Sequence, residues 1–255
     1  MGWQIFLHSV RQVIGNMDAA LRISGALFLV QVVVSYAMGV SLSGDRAAME
    51  QRMMAGDFPW LGMILAIAVT LATGMWIAVA WHRYVLKVEK PTTLIPPFHG
   101  DRILGYLGKS ILLIIIAIPI ALVASFIVGF VFSAFYTTGQ MPGMGLGILA
   151  GIIVMLPVIV VIYRMSVILP GSALGQPLGL REAWSKTAGS SGAIVFLAVL
   201  SIVAAIAIDL PLMLMGSVPL LGFVWATATA WLKMMVGISI LTTLYGHFVE
   251  GRALV

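Results

Sequence analysis

Six stretches of this chain are apolar over the length of a membrane-spanning helix: Ile23 to Leu42, Phe58 to Trp81, Ser110 to Tyr136, Gly143 to Leu169, Ala193 to about Leu214, and Phe223 to His247. A transmembrane helix needs about 20 largely apolar residues. A run such as "ILLIIIAIPIALV" does not alternate in polarity, as the roughly ten-residue strands of a membrane β-barrel would. The pattern therefore predicts an all-α polytopic membrane protein of six transmembrane helices. With short connections between spans, residues 1–255 read as a single integral membrane domain. Small residues at "SYA", near residue 37, resemble a signal-peptide cleavage site. The 22 residues before Ile23 exceed the usual basic n-region, so the first helix is expected to stay uncleaved.

Outside the spans the pattern changes to that of half-buried helices. Trp3, Phe6, Leu7, Val10, Val13, Ile14, Met17 and Leu21 recur at i, i+3, i+4, i+7, with Gln4, His8, Arg11, Gln12 and Asp18 largely opposite. Residues 1–22 are thus predicted as an interfacial amphipathic helix. Its apolar face lies either in the acyl boundary or against the protein's own helices. Leu180, Ala183, Trp184 and Thr187 form a similar face before the fifth span, opposite Arg181, Glu182, Ser185 and Lys186; "DRILGYLGK" is a shorter version before the third.

The returning spans end alike, in "AWHRYVL", "VIYRMSVIL" and "LYGHFVE", and Arg83, Arg164 and His247 stand 81 and 83 residues apart. The pattern suggests three pseudo-repeated hairpins, as in many transport folds. Aromatic and basic residues also gather at membrane interfaces without any repeat. Inside the spans, Gly62, Ala66, Thr70, Gly74 and Ala78 form an i, i+4 ladder, and Gly143, Gly147 and Gly151 another. Small residues let helix backbones approach closely, so both ladders are expected to be packing faces inside the bundle. Pro119, Pro157 and Pro211 are expected to kink their helices.

Composition reinforces the class: 61% of residues are hydrophobic and 9% charged, against about 45–50% and about 25% in soluble domains. Charge placement adds orientation. Arg11, Arg22, Arg83, Lys87, Lys90, Arg102, Lys109, Arg164, Arg181, Lys186 and Arg252 are eleven of the fourteen basic residues and fall on one side. Arg46 and Arg52 fall on the other, outnumbered by Asp45, Glu50 and Asp57. By the positive-inside rule both termini are cytoplasmic. The pI near 9.7 reflects that collar and points to anionic lipid headgroups, not nucleic acid. With no cysteine, thiolate chemistry and disulfides are excluded.

Candidate chemistry is sparse. His8, His82, His99 and His247 are scattered without metal-ligand spacing, "WSKTAG" lacks the glycine-rich cradle of a phosphate loop, and no nucleophile, base and orienting acid assemble. No enzyme activity, metal or cofactor is expected. His82 and Arg83, with Arg164, Arg181 and Lys186, are candidates for lipid-headgroup contacts. The bland reading of His82 and Arg83 is an interface anchor whose polar tip snorkels. Arg164 lies about 31 Å along its helix from Gly143, at the boundary, where it need not be a buried charge. Asp209, about 24 Å up from Ala193, and Lys233, about 18 Å above Tyr245, differ in height by about 6 Å, within a lysine's reach. Pairing between them is feasible, as a structural ion pair or as a substrate or proton site.

The stretch "SVILPGSALGQPLGLREAWSKTAGSSGAIVF", residues 166–196, resembles a recurring segment of uncharacterised bacterial inner-membrane proteins related to the membrane domain of glycerophosphodiester phosphodiesterases. "AVAWHRYVLKVEKP", residues 78–91, is similar to a segment of bacterial membrane proteins. The resemblance covers under a fifth of the chain and implies a six-helix protein of the bacterial inner membrane. No phosphodiesterase domain follows in this sequence, so that activity is not carried over. The expected function is a non-enzymatic scaffold or accessory subunit in contact with lipids, a membrane complex or a second copy of itself. The alternative is a small-solute or lipid transporter using Asp209 and Lys233.

Overall fold

The computed structural model describes residues 1–40, 51, 53–56, 58–137, 143–215 and 218–254. Arg46, Arg52, Asp45, Glu50 and Asp57, on which the acidic side of the charge asymmetry rests, lie outside them. The described residues form helices and no strands: α1 (Gly2–Ile14), α2 (Met17–Ala37), α3 (Trp60–Lys87), α4 (Gly100–Thr137), α5 (Met144–Met165), α6 (Ile168–Leu174), α7 (Leu180–Thr187), a 3-10 turn at Ala188–Ser190, α8 (Ser191–Leu214) and α9 (Pro219–Phe248). Six segments are long and apolar enough to cross a membrane: Met17–Ala37, Trp60–Lys87, Gly100–Ser133, Gly145–Leu174, Leu180–Leu212 and Leu220–Phe248. The protein is all-α, as its apolar periodicity predicts.

The first boundary differs from the sequence reading. The leading helix stops at Ile14, and the spanning helix begins at Met17, not Ile23. Asp18 and Arg22 pair along α2 at 2.9 Å, so charges that look like a flank sit on the helix's own exposed first turns. The break is the Gly15–Asn16 turn. Asn16 Nδ2 donates to the Gln12 carbonyl at 2.8 Å, and the Tyr84 hydroxyl donates to Asn16 Oδ1 at 2.8 Å.

The chain divides into two compact units: Met1–Ser9 with Leu104–Ala204 and Ile240–Val255, and Val10–Ile103 with Ala205–Ser239. In the second, Val13, Ala20, Ile23, Leu27, Ile77, Ala80, Trp81 and Met235 make the core. Helices α2 and α3 meet where small residues allow it. A Cβ on Gly62 would sit 2.8 Å from the Met38 carbonyl oxygen, and Ala66 and Ala78 are buried. Thr70, in the same ladder, is exposed, and Thr73 instead accepts a 2.8 Å hydrogen bond from Gln31 Nε2. The Trp231 indole donates to Ser24 Oγ at 2.7 Å. Since lipid supplies no hydrophobic drive between helices, close contact and such hydrogen bonds hold them together.

In the first unit, α6 is buried along its whole length. Gly171 is where it comes closest to its surroundings: a Cβ there would meet Gln176 O at 2.7 Å and the Tyr245 ring at 3.3 Å. Gly175 ends the helix in the left-handed conformation, φ 78°, which costs glycine nothing. Helix α1 begins here too, with Ile5 and Ser9 fully buried, Ser9 Oγ donating to Thr243 Oγ1 at 3.0 Å, and Trp3 and Phe6 stacked on another face. Among the described residues, nothing packs on the second glycine ladder. Gly143, Gly147 and Gly151 are exposed, with nothing within 4 Å of a Cβ built on any of them. Helices α4, α5 and α8 continue through their prolines. Pro119 and Pro157 line one apolar recess of about 440 Å³ with Ile120, Val123, Ala124 and Ile127.

Candidate functional site

The candidate side chains Asp209 and Lys233, Arg83, and Arg164 stand at three places, each built differently. Asp209 lies near the end of α8 and Lys233 midway along α9. Lys233 Nζ donates to both oxygens of Asp209, at 2.7 and 2.9 Å. A lone charge in a bilayer core costs about 2.5–3.5 kcal/mol on insertion scales, and this geometry cancels one charge with the other. The side chains remain 44% and 36% exposed, so the pair is reachable from its surroundings. Next to it, Trp225 Nε1 donates to the Ile208 carbonyl at 3.0 Å. That bond ties α9 to α8 three residues before Pro211.

The second place is the end of α3. Arg83 Nε and Nη2 donate to Glu89 Oε2 and Oε1, at 2.8 and 2.6 Å, a fork-to-fork arrangement of the strongest kind. Six residues of separation is not a helical pairing distance. It is closed here because Val88 adopts the left-handed conformation, φ 57° and ψ 33°, and reverses the chain. A β-branched residue is held there at a cost of about 1–3 kcal/mol. His99 Nε2 stands 3.9 Å from Glu89 Oε2. Trp76 fixes the loop that carries His99, donating to the Pro97 carbonyl at 3.3 Å and meeting the Phe98 ring edge-on at 4.9 Å.

The third place corrects the sequence expectation for Arg164. This residue is only 9% exposed, because α7 folds back over it. Its guanidinium carbon lies 3.5 Å from the centre of the Trp184 ring, Nη2 donates to the Trp184 carbonyl at 3.2 Å, and Nε donates to Thr187 Oγ1 at 3.4 Å. Arg181 and Lys186 are exposed. His82, expected beside Arg83 as a headgroup ligand, is fully buried. One helical step apart, the two side chains face opposite environments, and only Arg83 reaches the edge.

The three similar helix endings thus have three local arrangements: Arg83 on a carboxylate, Arg164 under an indole, and His247 with Nδ1 3.0 Å from the Arg252 carbonyl oxygen. Sequence reasoning missed Glu89 and the Trp184 contact altogether. Among the described residues no three His, Cys, Asp or Glu side chains come together as a metal site.

Six apolar spans, with charges either neutralised inside them or gathered at their ends, define a multi-pass integral membrane protein. Comparison with protein-family models, with curated proteins and with solved structures finds no match in any of the three.

Proposed function

We propose that the chain is a non-enzymatic membrane scaffold or accessory subunit of the bacterial inner membrane, with both termini cytoplasmic and its basic collar at the inner headgroup layer. The observation that carries this reading is the contrast between its surfaces. Its spans present large apolar side chains outward, Phe126 and Phe130 among them, while Arg83 and Arg164 are held against partners of the chain's own at helix ends. A surface of that kind suits binding to lipid and to other spanning helices. Extraction in a mild detergent from native membranes should recover a partner, or a second copy of the chain, in stoichiometric amount. A protein that purifies alone as a monomer and moves solute into liposomes would overturn the reading.

A transporter is the second reading, favoured by the partial exposure of Asp209 and Lys233 inside the spans. In that case Asp209→Asn and Lys233→Met, combined, should abolish uptake with the amount of folded protein unchanged. Uptake retained by the double variant would remove the pair from any transport step.

A further inference from the structure

The recess beside the end of α3 contains more cationic chemistry than a structural ion pair requires. It is lined by Arg83, Lys90 and His99, closed by Glu89, walled by Pro91, Pro96 and Pro97, and floored by Ile23 and Ala80. The Arg83 side chain is 12% exposed and fixed, whereas its partner Glu89 is 42% exposed and sits on the reversal that Val88 makes. Prolines stiffen one wall, and the Trp76 contacts fix it to α3. The Arg83 guanidinium, with Lys90 and His99 among the residues that line the recess, makes a donor set that matches a tetrahedral oxyanion.

We propose that this recess binds a phosphate group, and that the Glu89 carboxylate occupies the phosphate's seat until it is displaced. The open volume beside the carboxylate is about 30 Å³, room for about one water. A phosphate therefore enters only where Glu89 leaves. The carboxylate imitates the ligand, holding two oxygens against the Arg83 fork at 2.6 and 2.8 Å. Its departure opens the Arg83 guanidinium to the incoming anion, in a recess that Lys90 also lines, and it frees Val88 from the conformation that returns Glu89 to Arg83. The phosphate belongs either to a lipid headgroup or to a soluble phosphate ester, and both present the same oxygens. The lipid source rests on the proposed headgroup position of the collar; the soluble source does not.

The test uses the full chain in nanodiscs of phosphatidylcholine, titrated with inorganic phosphate and read by thermal stability, with chloride at matched ionic strength as control. A parallel set of nanodiscs contains phosphatidic acid, and bound lipid is counted by native mass spectrometry. Wild-type protein should bind weakly, and Glu89→Gln at least about tenfold more tightly, since the neutral amide no longer competes with the anion. Lys90→Gln and His99→Gln, made on the Glu89→Gln background, should each lose most of that gain. They keep Arg83, so they stay informative if Arg83→Gln fails to fold. Stabilisation by inorganic phosphate identifies a soluble ligand, and gain confined to phosphatidic acid identifies the headgroup. Unchanged affinity in Glu89→Gln, or a gain that survives Lys90→Gln and His99→Gln, overturns the proposal. Partner recovery is read on wild-type protein, so its failure is separate from failure here.

Discussion

Asp209–Lys233 and Arg164–Trp184 solve one problem in opposite ways. The first neutralises a charge with a charge: two bonds of 2.7 and 2.9 Å between half-exposed side chains. The second holds a guanidinium that is 9% exposed with neutral groups only, an indole face, a carbonyl and a hydroxyl. No carboxylate lies within salt-bridge distance of it among the described residues. Inside a span an uncompensated charge has no access to water, so its partner must carry the opposite sign. At a helix end, a cation needs only to be oriented, and an aromatic face with an acceptor is enough. The same contrast predicts what each site loses when it is broken.

The largest effect is expected from leaving one member of the first pair alone. Lys233→Ala strands the Asp209 carboxylate, and Asp209→Ala strands the ammonium. Each should destabilise the protein by about 2.5–3.5 kcal/mol and reduce the folded fraction recovered by size-exclusion chromatography. The double replacement should cost much less than the sum, because a lone charge inside a span is costly and the double variant leaves none there. Additive losses would mean that the two side chains do not act together.

How far this contrast was legible depends on whether the relevant distance runs along a helix or between elements. Asp209 and Lys233 were within reach by depth counting alone, since height along a helix follows from residue number. The spans were legible for a related reason: an apolar run such as Ser110 to Tyr136 has the length that a membrane-spanning helix needs. Face assignment was not legible. Gly62 and Gly74 have Met38 and Gln31, at the end of α2 and along it, against them, while Gly143, Gly147 and Gly151, with the same i, i+4 spacing, have nothing against them among the described residues; small residues permit contact without naming who makes it. Glu89 was missed because its approach to Arg83 depends on the single reversal at Val88. Arg164 was misjudged because distance along α5 is blind to α7 lying over its end.

A second break sharpens the difference between charge and geometry. Arg164→Lys keeps the cation and loses the planar fork that spans the Trp184 ring and carbonyl; Arg164→Ala loses both. The alanine variant should cost about 2 kcal/mol, from two long charge-assisted hydrogen bonds and a cation–π contact, and lysine about half of that. Hydrogen exchange over residues 180–187 is the measurement, since α7 should loosen before the spans do. Equal protection in wild type and Arg164→Lys would show that charge alone holds α7.

The smallest effect comes from a contact with no charge at all. Gln31 Nε2 donates to Thr73 Oγ1 at 2.8 Å between α2 and α3, and Thr73 Oγ1 is within 2.6 Å of the Val69 carbonyl oxygen, its own acceptor one turn away. In Thr73→Val that chain is cut, and Gln31 is left facing a methyl group. Interhelical hydrogen bonds of this kind are worth about 0.6 kcal/mol in a membrane, since the separated helices find other partners. The expected fall in thermal stability is therefore several-fold smaller than for Lys233→Ala, measured in the same detergent. A loss equal to that of Lys233→Ala would mean that polarity, not charge, sets the cost of a broken contact inside these spans. The distinction between the Asp209 and Arg164 sites would then have to rest on burial alone.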